Sequence, residues 1–397
     1  MLSESELFRV RVVMIQSVLR NESLEAVLIT RPGNYAMATG GKRNYVNFAT
    51  DAGANGLVVT KEGKASFIGD NVEAARQMQE ELAGLDCDEY SHLWFEGSVA
   101  DIIAKEFSGA IASDDGSVGP NIHGKLNMCR AMLTTTELEK YRRLGAIAAD
   151  CMMATLESIK KGTSEREIAA KLVYEGRKRG CLVPVALIAA DDRIAKYRHP
   201  LPVIPSIIKG GAEDKVVNRY VMIAGGFYRE GLTVSITRFR QVDELPDDIR
   251  DAHARICAVD AVLQESTQPG RRLSEIFADC QKAYSELGFP EDEWRRHHQG
   301  GPTGYAGRTA KASPTESFRV LEEGWSEKVN DICGIDVPFG QAYAWNPSAV
   351  GVKSEDTFIL YPDGSKEIVS ATPFLPRIDL AAVLGRETDV AKSEWSS

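Results

Sequence analysis

The sequence predicts an α+β protein of two domains, a small α/β domain over residues 1–130 and a larger domain over residues 131–397. Three observations support this prediction. The chain has 397 residues, which is too long for one ordinary hydrophobic core. Its first third alternates short apolar runs, typical of strands, with helix-like segments. The remainder contains a pair of amphipathic helices that recurs, with strand-like segments between and after the pairs.

The first domain has the pattern of a small α/β unit. Residues 25–30 form a short apolar run before a Pro-Gly turn, as expected of a buried strand. Residues 56–60 and 65–69 flank a Lys-Glu-Gly turn and predict a β-hairpin. Residues 71–85 and 97–107 predict helices.

Helix-capping signals open the second domain. Thr134-Thr-Thr-Glu137 and Thr136-Glu-Leu-Glu139 both fit a capping box before a long amphipathic helix that ends near Lys160. Ser164-Glu-Arg-Glu167 is a second capping box, which predicts a helix to about Gly180.

This helix pair recurs at an offset of 108 positions. Two interpretations are open: chance similarity between amphipathic helices, or a true repeat that would place two similar α+β halves around a central site. The residues Gly162, Glu167, Ile168, Ala170 and Gly180 match Gly270, Glu275, Ile276, Ala278 and Gly288.

Four further segments are strand-like, namely residues 220–223, 232–240, 329–335 and 357–361. The polar stretch beyond Arg377 is expected at the surface or at a subunit contact.

Composition excludes several classes of protein. A formal charge of -10 and a pI near 5.3 argue against a nucleic-acid partner, whose phosphates require a basic surface. No apolar run approaches the roughly 18 residues of a membrane span, and the acidic start does not resemble a signal peptide. The seven cysteines are odd in number and lack a Cys-x-x-Cys pair, which predicts reduced thiols in a cytoplasmic protein.

Four segments, in order, carry a family resemblance. They are His199-Pro-Leu-Pro202, the hairpin over residues 220–238, His297-His-Gln-Gly-Gly-Pro-Thr-Gly-Tyr305, and Trp345-Asn-Pro-Ser with Lys353-Ser-Glu-Asp-Thr357. Together they resemble the site segments of the creatinase, prolidase and aminopeptidase P family. The resemblance implies that the second domain is a pita-bread catalytic domain and the first is its creatinase-like partner.

The positions at which this family binds two metal ions hold weak ligands here. They fall at Ala224, Ser235, Gly301, Asn346 and Glu355, of which one is a carboxylate. Hard divalent cations prefer carboxylate oxygen or imidazole nitrogen, so the prediction is no catalytic metal and no cofactor. The alternative is that other carboxylates serve, with Asp214, Glu230, Asp331 and Asp336 as candidates.

The resemblance to creatinase, which hydrolyses a C–N bond with a histidine in place of a metal, suggests the catalytic residues. His199 is predicted as general acid and base, Glu355 as its partner, and His297 as a substrate-contacting catalytic residue. Each also has an ordinary explanation: a surface-loop histidine, a strand-edge charge and a solvated helix end. Creatine itself is not expected, because Gly301 replaces a creatinase histidine.

The remaining candidates would bind a small-molecule substrate, although the two tyrosines and the two arginines among them could equally be structural or solvent-facing. A cation among them would suit a substrate carboxylate, with arginine giving the better bidentate geometry. They are His298, Tyr228, Arg238, Tyr305, Arg308, Asn346 and Lys353.

Three functions remain open. The first is a metal-independent hydrolase or lyase that acts on a C–N bond of a small polar substrate. The second is a metal-dependent Xaa-Pro peptidase or dipeptidase, and the third is a non-catalytic binding protein with a degenerate site. The resemblance also implies a homodimer, with residues 41–50 near the partner's pocket.

Overall fold

The N-terminal domain surrounds a five-stranded sheet with the order β4-β3-β2-β1-β5. The computed structural model describes residues 1–322, 324–334, 337–393 and 395–396. The predicted hairpin is present as the antiparallel pair β2–β3. The elements of this domain are α1 (Glu4–Asn21), β1 (Ala26–Ile29), α2 (Pro32–Thr39), β2 (Gly56–Thr60), β3 (Ala65–Asp70), α3 (Asn71–Arg76), β4 (Asp88–His92), α4 (Val99–Glu106), β5 (Ile111–Ser113) and α5 (Asn127–Ala131).

The second domain contains a five-stranded sheet, a three-stranded sheet and the two-stranded pair β12–β13, and long helices pack against them. Strand β6 follows α5 directly and pairs with β11, so the chain enters the second sheet at Met132. The elements are β6 (Met132–Thr134), α6 (Thr135–Glu157), α7 (Glu165–Lys178), β7 (Leu182–Ala190), α8 (Asp192–Lys196), β8 (Tyr220–Arg229), β9 (Leu232–Gln241), α9 (Asp247–Ser266), α10 (Leu273–Glu286), β10 (Gly300–Thr303), α11 (Trp325–Cys333), β11 (Phe339–Trp345), β12 (Ser348–Ala349), β13 (Val352–Lys353), β14 (Asp356–Leu360), β15 (Lys366–Ile368) and α12 (Leu380–Leu384).

The two helix pairs have equivalent surroundings. Helices α7 and α10 both have 14 residues, and both of their ends are displaced by 108 positions. The backbone N–H of Gly162 donates to Val217 before α7, and that of Gly270 donates to Val320 before α10. The repeated pattern therefore corresponds to a repeated structural unit, one in each half of the domain.

Two local predictions are wrong. Residues 329–333 belong to helix α11 rather than to a strand, whereas residue 335 and the candidate ligand Asp336 lie outside the described residues. The chain beyond Arg377 is not confined to the surface, because Lys392 and Trp395 are buried. Lys392 forms ion pairs inside the domain, and Trp395 packs on Phe239 and His253.

Two further properties concern the cysteines and the helices. All seven cysteines are free thiols. Among the described residues, no helix combines the length and the apolar character that crossing a membrane requires. The cytoplasmic location itself stays a prediction.

Candidate active site

A cavity of about 670 Å³ lies where the N-terminal domain meets the β8–β9 hairpin, and we call it the central cavity. Most of the side chains that the sequence singles out line it, although they come from five separate stretches of chain. These are His199, Tyr228, His298, Tyr305, Arg308, Asn346, Lys353 and Glu355. The ligand-equivalent residues Ala224 and Ser235 also line it.

The antiparallel register of β8 and β9 positions one wall of the central cavity. Gly226 lies opposite Ser235, and Ala224 lies opposite Thr237, so the small residues of both strands are neighbours. Small side chains at these places leave room in front of the sheet, and that room forms part of the cavity.

Glu355 is the one carboxylate among the positions predicted from the resemblance as metal ligands, and both of its oxygens accept hydrogen bonds. Arg308 Nη2 donates to Oε1 at 2.8 Å, and Thr237 Oγ1 donates to Oε2 at 2.8 Å. Arg308 Nη1 also donates to Ser235 Oγ at 3.2 Å. A guanidinium therefore joins two of the former ligand positions, and an internal cation neutralises the carboxylate.

Three histidine rings cluster at the cavity. The Nε2 atoms of His199 and His297 are 2.9 Å apart, so one ring donates a hydrogen bond to the other. His298 stacks on His297 with ring centroids 4.4 Å apart. His297 itself is buried behind the two rings that line the cavity.

Desolvation at the cavity, which is partial for exposed His199 and stronger for His297 and His298, keeps these imidazoles neutral. It lowers the pKa of His199, with Lys353 as the next cause. It lowers the pKa of His298 to about 3, with Lys311 next, and it lowers that of His297 further. Neutral imidazoles offer lone pairs that can accept a proton.

Lys353 and Asn346 are buried polar groups that face the same cavity. Lys353 is 4% exposed, and it makes no hydrogen bond or ion pair within the described part of the chain. The Oδ1 atom of Asn346 likewise lacks a partner among those residues. Buried polar groups are normally satisfied, so these two side chains are available to hydrogen-bond with water or with a substrate in the cavity.

Two residues predicted to bind substrate use their polar atoms for hydrogen bonds outside the central cavity. Arg238 does not line the central cavity, since its guanidinium binds Asp356, Thr372 and the carbonyl of Ser370 in the core. Tyr305 reaches the cavity, but its hydroxyl donates to buried Glu137. Both polar groups are structural, because their hydrogen-bonding capacity is used inside the protein.

The cavity also contains residues that the sequence did not single out. Lys311 lies three residues after Arg308, and Arg31 immediately precedes helix α2 of the N-terminal domain. Phe48 and Thr50, from the stretch expected near a partner's pocket, line the cavity of their own chain. A position three residues from a predicted site residue was the available signal for Lys311. The homodimer stays a prediction.

The positions predicted as metal ligands do not offer the donor atoms of a two-metal centre. Gly301, which the resemblance predicts at the position of a metal histidine, has φ of 153°, and a Cβ there would lie 2.6 Å from the carbonyl oxygen of Ala310. A histidine therefore has no space at this position. The alternative carboxylates do not help, because Asp214, Glu230 and Asp331 do not line the cavity.

The residues that could hold a metal ion instead are the three histidines. Their ligand atoms lie within 4.8 Å of one another, and imidazole binds Zn, Cu, Fe and Ni well. The positive charges of Lys353 and Lys311 act on these rings and oppose a dication there. The cluster is thus a possible mononuclear site, and it is unlike a carboxylate-bridged pair of ions.

Comparison with known proteins shows the family to which the chain belongs. The model of metallopeptidase family M24 matches residues 139–360, more than half of the chain. The chain belongs to metallopeptidase family M24. This confirms the resemblance inferred from the four segments.

Its relatives include two Xaa-Pro dipeptidases. Those of Pyrococcus horikoshii and Pyrococcus furiosus are both 26% identical over 242 residues, which is 60% of this chain and 62% and 63% of theirs. The chain thus matches about three fifths of the length of these curated M24 relatives.

Solved structures show that the fold extends over both domains. The Xaa-Pro dipeptidase from Bacillus anthracis has a TM-score of 0.66 at 18% identity, covering 91% of this chain and 97% of its own. The N-terminal domain of the FACT complex subunit SPT16 from Cicer arietinum has a TM-score of 0.58 at 13% identity, covering 92% and 96%. The α+β architecture is confirmed, and the fold of M24 proteins occurs under names other than peptidase.

Of the expected functions, the relatives favour the alternative, a metal-dependent Xaa-Pro peptidase, over metal-independent catalysis.

Proposed function

We propose that this M24 protein hydrolyses a C–N bond of a small amide or dipeptide-like compound in the central cavity, without the two-metal centre. One observation carries the proposal. Glu355, the retained ligand position, is bound on both oxygens by Arg308 and Thr237, while neutral imidazoles line the same cavity. An internal cation occupies the carboxylate that a metal would need.

His199 is the general base in this proposal. Its ring lines the cavity and is neutral at pH 7, so it can take a proton from a water molecule that attacks the carbonyl carbon. The 2.9 Å contact between its Nε2 and that of His297 holds the ring in one orientation. Arg308, held between Ser235 and Glu355, presents positive charge towards a developing oxyanion.

A second candidate is a metal-dependent Xaa-Pro dipeptidase. The names of the two Pyrococcus relatives and the three-histidine cluster support it. In that case the three imidazoles would hold one metal ion, which when bound would supply a Lewis acid.

A hydrolysis screen with and without chelator tests the proposal. The panel contains Xaa-Pro dipeptides, N-acyl amino acids and small guanidino compounds, each with EDTA and with added Mn²⁺, Co²⁺ or Zn²⁺. Turnover in EDTA that His199→Gln abolishes and His92→Gln preserves would support it; His92 lies on β4, remote from the cavity.

Two other results would overturn the proposal. Turnover only with added metal would establish the dipeptidase candidate. No turnover of any compound, with detectable binding of some, would favour a non-catalytic binding protein.

A further inference from the structure

We propose that the substrate of the central cavity carries a carboxylate at each end, and that Arg31 of the N-terminal domain binds the second of them. The inference deepens the proposed function and rests on it for the reaction, the cleavage of a C–N bond. The substrate class is then an N-acyl amino acid whose acyl part is itself a dicarboxylic acid. The binding that this requires can be measured without turnover.

The charge of the cavity wall is opposite to that of the whole chain. Although the chain has a formal charge of -10, the side chains that line the central cavity include more cations than carboxylates. A cavity with such an excess attracts anions and holds them. The cations are Arg31, Arg130, Arg308, Lys311 and Lys353, and the carboxylates are Asp51 and Glu355.

The cations lie on two walls that belong to different domains. Three of them come from the second domain, and Arg31 and Arg130 come from the N-terminal domain. The two walls are in contact, since the ring centroids of Phe48 and Tyr228 are 4.8 Å apart. A small molecule bound between the walls therefore meets cations from both domains.

The side chain of Arg31 is held in place, but its charged end is free. Its Nε atom donates to the carbonyl oxygen of Asp114 at 2.9 Å, and its backbone N–H donates to the Asp114 carboxylate at 3.0 Å. Its two Nη atoms make no hydrogen bond or ion pair within the described part of the chain. They offer the planar pair of donors that binds a carboxylate bidentately.

The other charged groups of this wall leave Arg31 unpaired. Arg130 is buried and donates to Asn34 at 2.5 Å. The Asp114 carboxylate also accepts from Asn34, at 2.7 Å, and it does not line the cavity. Asp51 lines the cavity, but it is exposed and forms no ion pair with any described residue.

The first carboxylate has its partners in the second domain. Lys311 and Lys353 line the cavity together with His199, and neither lysine forms an ion pair among the described residues. Arg308 is bound to Glu355 and stays with the oxyanion of the proposed reaction. The two lysines are therefore the cations that a substrate carboxylate can neutralise.

A dipeptide fits this arrangement less well than a compound with two carboxylates. Its free N-terminus is an ammonium group, which is bound best by a carboxylate. Both oxygens of Glu355 already accept from Arg308 and Thr237, and Asp51 is exposed to solvent. A carboxylate in place of the ammonium group would meet Arg31 instead.

Binding to a variant without the proposed base tests the inference separately from the reaction. Full-length His199→Gln is titrated by calorimetry with N-succinyl-L-alanine and with N-succinamoyl-L-alanine, in which a neutral carboxamide replaces the terminal carboxylate. We expect the succinyl compound to bind about tenfold more tightly, because the carboxamide loses the ion pair with a guanidinium.

Substitution of Arg31 identifies the group that binds the second carboxylate. In the His199→Gln background, Arg31→Gln should lower the affinity for N-succinyl-L-alanine about tenfold and change that for N-succinamoyl-L-alanine less than about twofold. Arg31→Lys keeps the charge without the planar fork, so it should keep part of the preference. The matched control is Arg20→Gln, at an exposed arginine of α1 remote from the cavity, and it should keep the whole preference.

Equal affinity for the two compounds, or no detectable binding of either, would overturn the inference. That comparison needs no change at Arg31, so it holds even if Arg31→Gln does not fold. A preference that folded Arg31→Gln leaves unchanged would overturn it as well.

The inference and the proposed hydrolysis fail separately. Loss of the inference leaves the hydrolysis to its own screen, which does not require a second carboxylate. A succinyl preference that depends on Arg31, in a protein whose wild type turns over no compound, would support the dicarboxylate ligand and count against the hydrolysis.

Discussion

Glu355 and Asp356 are neighbours in sequence, yet they lie in two different environments. Successive residues of an extended chain point to opposite sides, so Glu355 faces the central cavity and Asp356 faces the core behind it. Asp356 accepts from Arg238 at 2.7 Å and from Lys392 at 3.1 Å. On the cavity side, by contrast, Lys353 lacks a partner among the described residues.

The difference separates stability from function. The core network uses every charge, because Lys392 also binds Asp260 and Arg238 also binds Thr372. Although burial alone would raise the pKa of Asp356, Arg238 and Lys392 lower it to about 2. The cavity leaves polar groups unpaired, and such groups are available to a substrate.

The largest expected effect on stability comes from the core side. Asp356→Asn removes the negative charge and leaves two buried cations with a weak acceptor. We expect the free energy of unfolding to fall by about 3–5 kcal/mol, as measured by urea denaturation. A loss below about 1 kcal/mol would show that the two environments are energetically alike.

Changing a cavity histidine should leave the stability almost unchanged and lower the rate of hydrolysis strongly. His199 lies on an exposed loop, so His199→Gln should change the free energy of unfolding by less than about 0.5 kcal/mol. The rate of hydrolysis should fall about a hundredfold or more, because the general base is lost. Equal rates for His199→Gln and wild type would remove His199 from the mechanism.

How much of this comparison the sequence predicts depends on how far apart in the chain the interacting residues lie. The capping boxes of α6 and α7 are local, and both are formed as predicted. The partners of Arg238 are not local, because Asp356 lies 118 positions away. Sequence alone therefore suggested a substrate role for Arg238, since nothing in it indicated which face of β9 meets the cavity.

Two other differences have physical causes. Val329, Ile332 and Cys333 follow helical spacing, a signal that the short apolar run obscured. The chain beyond Arg377 is polar overall, but Lys392 and Trp395 are held by residues that only folding brings near.

The pH dependence of stability tests the core environment through buried His253. Burial, with Arg238 and Lys392 next, lowers the pKa of His253 to about 3. The unfolded chain binds a proton at this residue below about pH 6.5, and the folded protein does not. Stability should therefore fall as pH drops from about 6.5 towards 3, with no contribution above that range.

His253→Leu tests this assignment. The variant should show a shallower fall of Tm between pH 6.5 and 4 than wild type, since one of the neutral buried histidines is gone. Asp356 adds to the slope only below about pH 5, where the unfolded chain begins to protonate it, and it does so in both proteins, so the difference between them reports on His253. An unchanged slope would show that His253 does not hold a lowered pKa.

The smallest expected effect on stability comes from removing an exposed ion pair, which gives a reference value for both environments. Lys282 and Glu286 form an exposed ion pair on α10 at 3.6 Å. Lys282→Ala should change the free energy of unfolding by less than about 0.5 kcal/mol in the same urea assay. A larger loss would mean that pairing alone, without burial, explains the strength of the core network.

The metal content of the purified protein tests the central claim most directly. Cells are grown with added Mn, Co and Zn, and the full-length chain is purified without chelator and measured by inductively coupled plasma mass spectrometry. With Glu355 bound to Arg308 and no room for a histidine at Gly301, the expected content is well below one ion per chain. One or two equivalents of a divalent metal, lost in Glu355→Ala, would contradict the account.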